Sequence, residues 1–474
     1  MSQGQRVRRG LQSLLVYTVA GLCLTACGFS DIEDSARSAA FLHGEQLADG
    51  SGEEECPATE RSDAELAKVP KVACARAKSD KLRIRGNYWP GSTAVGKDGS
   101  RYVVGTFTRG RLELGKKIRW SSGWDHDKTG GSGFVIKYGK SGKVAWAHKL
   151  DSESFVNLPS VSVDDRGNVF LSGYTEGPLR VGKHVVSNPE QDDLFVAKLD
   201  RKGQLKWARF GGDEENTLLL GHATDPRGNM YITGQFAGEL RFGKGRLRQS
   251  GPGDLFLIKH TPNGELAWAR QVGGEGRVIP RDIAIDAAGN VLITGSVEGK
   301  SQFDDIELDN GGGTFLAKFQ PSGAVQWVRG AVGSGRNEGK EVAVSPRGDI
   351  YIAGQHFHGL SFGDVTLPGD QRTRAYLAKY DETGTPEWAR NISEPGKFNM
   401  FSDLEATGAG DVYVLAAFGF SGFTSEGKVI PITGAPKELE NLAVDSKDQP
   451  HLTFGPRDIG EPGFEVAWSQ CRVK

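Results

Sequence analysis

An all-β fold, a β-propeller of four-stranded blades, is predicted by three features of this sequence: a tryptophan recurring at a nearly fixed interval, two turn signatures recurring in step with it, and short β-rich runs between them. Trp146, Trp207, Trp268, Trp327 and Trp388 lie 61, 61, 59 and 61 residues apart, each followed by a small or β-branched residue and then a basic one, as in Trp207-Ala208-Arg209. The turn before each tryptophan recurs at Gly142, Gly203, Gly264, Gly323 and Gly384. A second turn recurs at Gly167-Asn168, Gly228-Asn229, Gly289-Asn290, Gly348-Asp349 and Gly410-Asp411. Self-similarity at such a period, about 60 residues, marks one supersecondary unit repeated along the chain.

Within one unit, Val161-Ser162-Val163-Asp164 leads through Asp165-Arg166-Gly167-Asn168 into Val169-Phe170-Leu171-Ser172-Gly173. Two β-rich runs around a Gly-Asn turn predict a hairpin. After about twenty residues, Leu194 to Leu199 leads through Asp200-Arg201-Lys202-Gly203 into Gln204 to Arg209, a second hairpin. Four antiparallel strands make a propeller blade, which buries both faces against its neighbours. First hairpins number seven, near Thr93–Thr106, Val161–Gly173, Ala223–Gly234, Ile283–Gly295, Val342–Gly354, Leu404–Ala416 and Leu442–Gly455. Seven blades is the preferred count. Six is the alternative, because tryptophan-bearing second hairpins number five and the sixth unit departs from the pattern between Gly427 and Glu440.

The chain ends suggest how the last blade is completed. Lys71-Val72-Ala73-Cys74-Ala75-Arg76 matches Lys143-Val144-Ala145-Trp146-Ala147-His148 with cysteine for tryptophan, while Phe464-Glu465-Val466-Ala467 reads as a third strand. An N-terminal strand closing the last blade would remove a free sheet edge. Cys74 and Cys471 would then be neighbours and form the preferred disulfide, with Cys56–Cys74 as the local alternative.

This pattern resembles the seven-bladed β-propeller-type (SBBP-like) repeats of bacterial extracellular proteins over nearly all of residues 71–474. The features that carry the resemblance are the D-x-x-G-N turn, aliphatic runs ending as in Ile293-Thr294-Gly295, the Phe-Gly pairs at 242–243 and 362–363, and Phe-Val-Ala-Lys-Leu-Asp at 195–200. Such a family is defined by its repeat architecture, so the resemblance implies a fold and no single activity.

The N-terminus reads as an export signal, residues 1–26. Arg6, Arg8 and Arg9 precede an apolar stretch from Leu11 to Leu24, short for a bilayer span. Leu24-Thr25-Ala26-Cys27 resembles the lipobox of bacterial lipoproteins, which implies a mature, lipidated N-terminus at Cys27, and Gly28 after it implies the outer membrane. Residues 27–70 follow as the lipidated cysteine and an acidic tether, containing Asp31, Glu33, Asp34, Glu45, Asp49 and Glu53 to Glu55 with few large apolar groups. Residues 71–474 form the propeller.

The 474 residues carry 58 basic and 60 acidic side chains, a net charge of −2, which offers no single-sign field for nucleic acid. No G-x-S-x-G, H-E-x-x-H, C-x-x-C or EF-hand spacing is present. Gly139-Lys140-Ser141 reads as a hairpin turn, and Asp125-His126-Asp127 and His356-Phe357-His358 read as surface loops without a matched second ligand group. Arg209, Arg270, Arg329 and Arg390 are expected on an exposed outer strand, where charge hinders strand addition; a polyanion-binding belt is the functional alternative. The five tryptophans are expected in the core between blades.

Together these readings predict a monomeric envelope lipoprotein, tied to the membrane by its lipid and without cofactor. Its propeller is a noncatalytic scaffold for a protein or glycan ligand. The alternative is a propeller hydrolase or lyase, which buried carboxylates, histidines or a metal converging at the channel mouth would favour.

Overall fold

Each repeat folds into a four-stranded antiparallel sheet because a Gly-bearing turn reverses the chain between β-rich runs of five to nine residues. The computed structural model describes residues 69–474 apart from 117, 123–130, 189–193, 213–216, 310, 371, 394–400, 418, 437–438, 455–463 and 474. Cys27, Cys56 and Asp125-His126-Asp127 lie outside the described residues. Among those described, the structure is all-β, with no helix.

The Trp207 unit shows the pattern. Val156–Val163 pairs with Val169–Thr175, that strand with Leu194–Leu199, and that in turn with Leu205–Gly212. The Trp268 unit repeats it from Leu218–Thr224 to Leu266–Gly274, the Trp327 unit from Arg277–Ile285 to Val325–Gly330, and the Trp388 unit from Asn337–Val344 to Pro386–Asn391. The first turn of each unit is fixed by one side chain. Asp164 Oδ1 accepts the backbone N–H groups of Arg166 and Asn168, and Asp286 does the same for Ala288 and Asn290. This local bonding is why an aspartate recurs there.

After the Trp388 unit comes a sheet of Phe401–Ala406, Val412–Ala416, Gly419–Phe423 and the two-residue Val429–Ile430. The expected irregularity at 427–440 is therefore a shortened second hairpin in which Pro431 stands four residues after Gly427, the place of the missing tryptophan. Then Leu439–Val444, Pro450–Phe454 and Phe464–Val473 pair in order, and Phe464–Val473 runs antiparallel to the N-terminal strand Val72–Val95, with Cys74 opposite Cys471. Cys74 and Cys471 are disulfide-bonded, their α-carbons 3.9 Å apart. Farther along the same strand, Asn87–Val95 becomes the innermost strand of the Trp146 unit. The innermost strands touch in chain order from Val72–Val95 through Phe401–Ala406 to Leu439–Val444, which again contacts Val72–Val95.

The core lies between sheets. Phe170, Leu194 and Val196 of the Trp207 unit pack with Leu219, Ile232 and Phe256 of the Trp268 unit, and Leu82 and Ile84 of the N-terminal strand pack with Phe107 and Phe134 of the Trp146 unit. Each sheet thus buries both faces.

Two findings correct the expectation of an exposed fourth strand. The first concerns its edge. A short hairpin, Glu239–Phe242 with Gly245–Arg248, leaves the Trp268 unit and adds to the fourth strand of the Trp207 unit through Gly211 and Gly212; Ser301–Phe303 with Ile306–Leu308 does the same for the Trp268 unit. The Phe-Gly pair at 242–243 is the turn of such a hairpin, with Gly243 in the left-handed region at φ 57°.

The second concerns the arginines. Trp207 Nε1–H donates to the Pro262 carbonyl of the next unit at 3.0 Å, and Arg209 Nε–H donates to the Gly264 carbonyl at 2.8 Å. Trp268 and Arg270 repeat this on Pro321 and Gly323, while Arg329 binds Gly384 and Thr383. The guanidinium also lies over its own indole, 5.6 Å away for Arg270 and 5.2 Å for Arg329. These arginines are clamps between units, so a polyanion belt is not where their charge is directed.

The clamp predicts that Trp268→Ala costs about 3 kcal/mol or more, through lost ring burial and the lost indole hydrogen bond to Pro321, whose carbonyl keeps only Lys259. Arg270→Ala should cost about 1–2 kcal/mol through its charged hydrogen bonds, discounted for its half-exposed position. Thermal unfolding of both variants checks the order. A loss below about 0.5 kcal/mol for Arg270→Ala would mean the contact to Gly323 carries no load.

Candidate functional site

The innermost strands share one irregularity. Their register slips at the same place in every unit: between Pro90 and Thr93, Asn157 and Ser160, Leu219 and Gly221, Pro280 and Asp282, Gly339 and Glu341, Phe401 and Asp403, and Leu439 and Asn441. Such a bulge sets extra residues against the partner strand and re-aims the side chains beside it. In three successive units the residue just after the slip is an acid.

Asp282, Glu341 and Asp403, together with Glu405 two residues on, form one interacting group. Each retains some exposed surface although surrounded by protein, as befits the inner edge of a sheet. Burial pushes Asp282 up to about 6 and Asp403 up to about 7, with the Asp282 charge adding to the rise at Asp403. Burial, then the neighbouring aspartates, hold Glu341 and Glu405 well above the ordinary carboxylate range. Asp282 raises Glu341 further, as one carboxylate beside another disfavours a second charge. At neutral pH the group therefore holds protons that it can donate.

Two further features flank the acids. Glu338 is gripped by Arg281 and by Lys340 at 2.6 Å, and although burial opposes it, these cations keep its pKa below the usual value. Burial raises Glu440 to about 7 against a side-chain hydrogen bond from Tyr88 that lowers it, and its Oε2 has no hydrogen-bond partner.

The acids also join units. Asp282 Oδ2 accepts the Val342 N–H at 2.9 Å, and Asp403 Oδ2 accepts the Leu442 N–H at 3.2 Å. At the corresponding place in the Trp207 unit the Val161 N–H is accepted by a hydroxyl, Ser92 Oγ, at 2.9 Å. A neutral oxygen performs the same joining with less desolvation. Joining units does not explain why two of these junctions use carboxyl groups, or why Glu341 stands between them.

Elsewhere, His222 bridges Ser172 Oγ at 2.6 Å and Ser162 Oγ at 2.8 Å, and burial pushes its pKa down to about 3. Among the described residues, no carboxylate hydrogen-bonds to it. His356 is buried, its Nε2 against Asn391 Oδ1 at 2.7 Å, while His358 turns the chain at φ 71°; they are not a ligand pair. Among the described residues, no three acids, histidines or cysteines converge as a metal site. Gly139 to Gly142 is a hairpin turn, closed by the Gly142 N–H on the Gly139 carbonyl at 2.8 Å.

The inner-edge acids were missed in the sequence because the first strand of each unit was started late, as at Val161. A signal was present: Arg281-Asp282, Lys340-Glu341 and Ser402-Asp403 each interrupt a run otherwise expected to be apolar.

Comparisons with known proteins find propeller-repeat similarity over part of the chain. Residues 267–296 match the beta-propeller repeat model. A WD repeat-containing protein of Acanthamoeba polyphaga mimivirus is 21% identical over 328 residues, covering 54% of this chain and 24% of that protein. The chain thus spans about a quarter of that curated relative. Similar solved structures include an ulvan lyase of polysaccharide lyase family 25 (10% identity, 83% and 95% of the two chains, TM-score 0.43) and YCF48 from Cyanidioschyzon merolae (11%, 84% and 98%, TM-score 0.41). A gluconolactonase from Xanthomonas campestris is 13% identical, covering 85% and 97%, with a TM-score of 0.33. The repeat match, the WD-repeat relative and the recurring four-stranded sheets support a β-propeller-repeat protein. What it binds or converts must be argued from its own side chains.

The protonated acids have a consequence for stability. An acid with a raised folded pKa keeps a proton that the unfolded chain has released, so stability falls as pH rises from about 4 through the folded value. His222 and His260, pushed down to about 3 and about 4 by burial, act oppositely, but their effect is complete by about pH 6.5. The melting temperature should therefore decline between about pH 6.5 and 8.5. The Asp403→Asn/Glu405→Gln double variant should flatten that decline, and an unaltered slope would mean that these groups are ionised throughout.

Proposed function

We propose that the chain is an exported lipoprotein, anchored through Cys27, whose sheets form one seven-bladed ring closed by the strand at Val72–Ile84. This ring is a noncatalytic scaffold that takes a glycan or protein ligand at the channel mouth. The closed contact order of the innermost strands supports the ring. The observation that carries the binding reading is the concentration of Asp282, Glu341, Asp403 and Glu405 on one side of the inner edge, where a serine serves equally well at another junction. Carboxyl groups that keep protons at neutral pH both donate and accept hydrogen bonds, which suits the hydroxyls of a sugar or the backbone of a peptide loop.

The same convergence favours a second reading, a hydrolase or lyase, since a carboxyl group poised near neutral pH can serve as general acid or base. Asp282→Asn and Asp403→Asn separate the two. For a scaffold, both variants weaken ligand capture from a glycan panel about tenfold or more, and the wild type leaves the captured glycans intact. New reducing ends or unsaturated sugars made by the wild type and lost in the variants would establish the enzyme.

Cys27→Ser should move the protein from the membrane to the soluble fraction, because acyl chains contribute about 0.8 kcal/mol per buried methylene. Labelled fatty acid should enter the wild type alone; membrane retention of the variant would overturn the anchor.

A further inference from the structure

We propose that the exposed face of the three-stranded sheet formed by Lys81–Arg85, Arg111–Leu114 and Ile118–Ser121 is a binding surface for a linear polysaccharide bearing carboxylate or sulfate groups. It is separate from the inner-edge acids and does not rest on their function.

The strands alternate strictly. Leu82, Ile84, Leu112 and Leu114 are buried, with Ile118 and Trp120 packed against the same cluster. Lys81, Arg83, Arg85, Arg111 and Arg119 are exposed and therefore share the opposite face. Arg83 is opposite Glu113, Glu113 opposite Arg119, and Arg83 also opposite Glu465 on its other side. Five cations thus share this face with Glu113, which pairs with Arg119 at 3.8 Å, in a chain whose net charge is −2. Arg109 adds a sixth cation at an exposed left-handed corner, φ 51°.

These arginines differ from those of the repeat. Arg209, Arg270 and Arg329 are occupied by carbonyls of the next unit, whereas Arg85, Arg109 and Arg111 make no hydrogen bond or ion pair among the described residues. Arg85 and Arg111 are direct cross-strand partners. Like charges so placed repel, and an oxyanion between them would turn the repulsion into paired N–H···O contacts.

The form of the face selects the ligand. Same-face cations recur at about 7 Å along a strand and about 5 Å between strands, so a small anion would reach one or two of them while a polymer charged on successive sugars would engage all. Trp120 is turned to the core, which leaves no exposed ring for nucleic-acid bases to stack on. Of the exposed large apolar residues described, Val185 is on a hairpin at the far end of the same sheet, Val332 is outside the strands and Val429 is on another sheet, so none is on these three strands to anchor a bilayer.

The test uses the full chain carrying Cys27→Ser, so that no acyl chain contributes, with heparin and alginate as probes against dextran, phosphatidylglycerol vesicles and inorganic sulfate. Heparin or alginate should bind with a steep salt dependence and dextran should not. Arg85→Gln/Arg111→Gln should weaken binding at least tenfold with an unchanged or higher melting temperature, and Arg246→Gln/Arg248→Gln on an outer hairpin should bind as the parent does. Should the double variant melt lower, Arg119→Gln gives the same comparison in a singly altered protein. The proposal falls if Arg85→Gln/Arg111→Gln and Arg119→Gln bind heparin and alginate as the parent does, if vesicles bind as tightly through the same residues, or if sulfate alone saturates the site.

Discussion

The contact on which the rest of the molecule depends is a tryptophan laid on the turn of the next sheet. In the Trp207 unit the ring sits so close to Gly264 that a methyl group there would come within 2.6 Å of it, and the glycine holds φ at 78°. Two requirements, no side chain and a left-handed backbone, fall on one residue. The indole N–H, the arginine two residues on and a lysine of the third strand then converge on the carbonyls of that turn; Lys198 and Trp207 share the Pro262 carbonyl. Sheets that meet through side-chain packing alone could slide. A turn held by three donors, as here, fixes one sheet against the next, and so fixes the spacing of their inner edges.

Where that contact is missing, other groups replace it. Pro431 and Cys74 stand at tryptophan positions in the last two units. There the N-terminal strand is held by the Cys74–Cys471 bond, and Asp80 takes over the clamp, accepting the Val144 N–H at 2.9 Å while its own N–H reaches the Gly142 carbonyl at 2.8 Å. A covalent link and a charge-assisted bond thus stand where the repeat has lost its aromatic ring.

The repeated part of this design was legible in the sequence because repetition amplifies it. A tryptophan-arginine pair or a Gly-Asn turn seen once is weak; seen five times at one spacing, it defines the unit. Pairing of Cys74 with Cys471 was readable for the same reason, since Lys71–Arg76 copies Lys143–His148. The inner-edge acids were not readable as a site. Asp282, Glu341 and Asp403 are far apart in the chain and come together through a bulge, a backbone feature with no residue signature here: the slip falls at Arg281, Lys340 and Ser402 but also at Leu220. The role of the arginines was misread for a related reason. An outer strand suggests exposure, and nothing local shows that a neighbouring turn lies within 3 Å.

This division separates scaffold from function. Residues that recur along the repeat are occupied by the fold, as Trp207 is on Gly264, Arg209 and Lys198 on carbonyls, and Asp164 on its own turn. Residues that break the repeat are the ones left over, and they are not scattered. Acids gather at the inner edge of the Trp327 and Trp388 units and the sheet after them, and Arg85, Arg109 and Arg111 gather at the exposed face of the N-terminal strand. Both arrangements carry an electrostatic cost that the repeat shows to be avoidable, since Ser92 joins units without a charge and other outer hairpins pair their arginines, as Arg248 does with Glu239. A cost that the fold does not require is the mark of a surface shaped for something outside the fold.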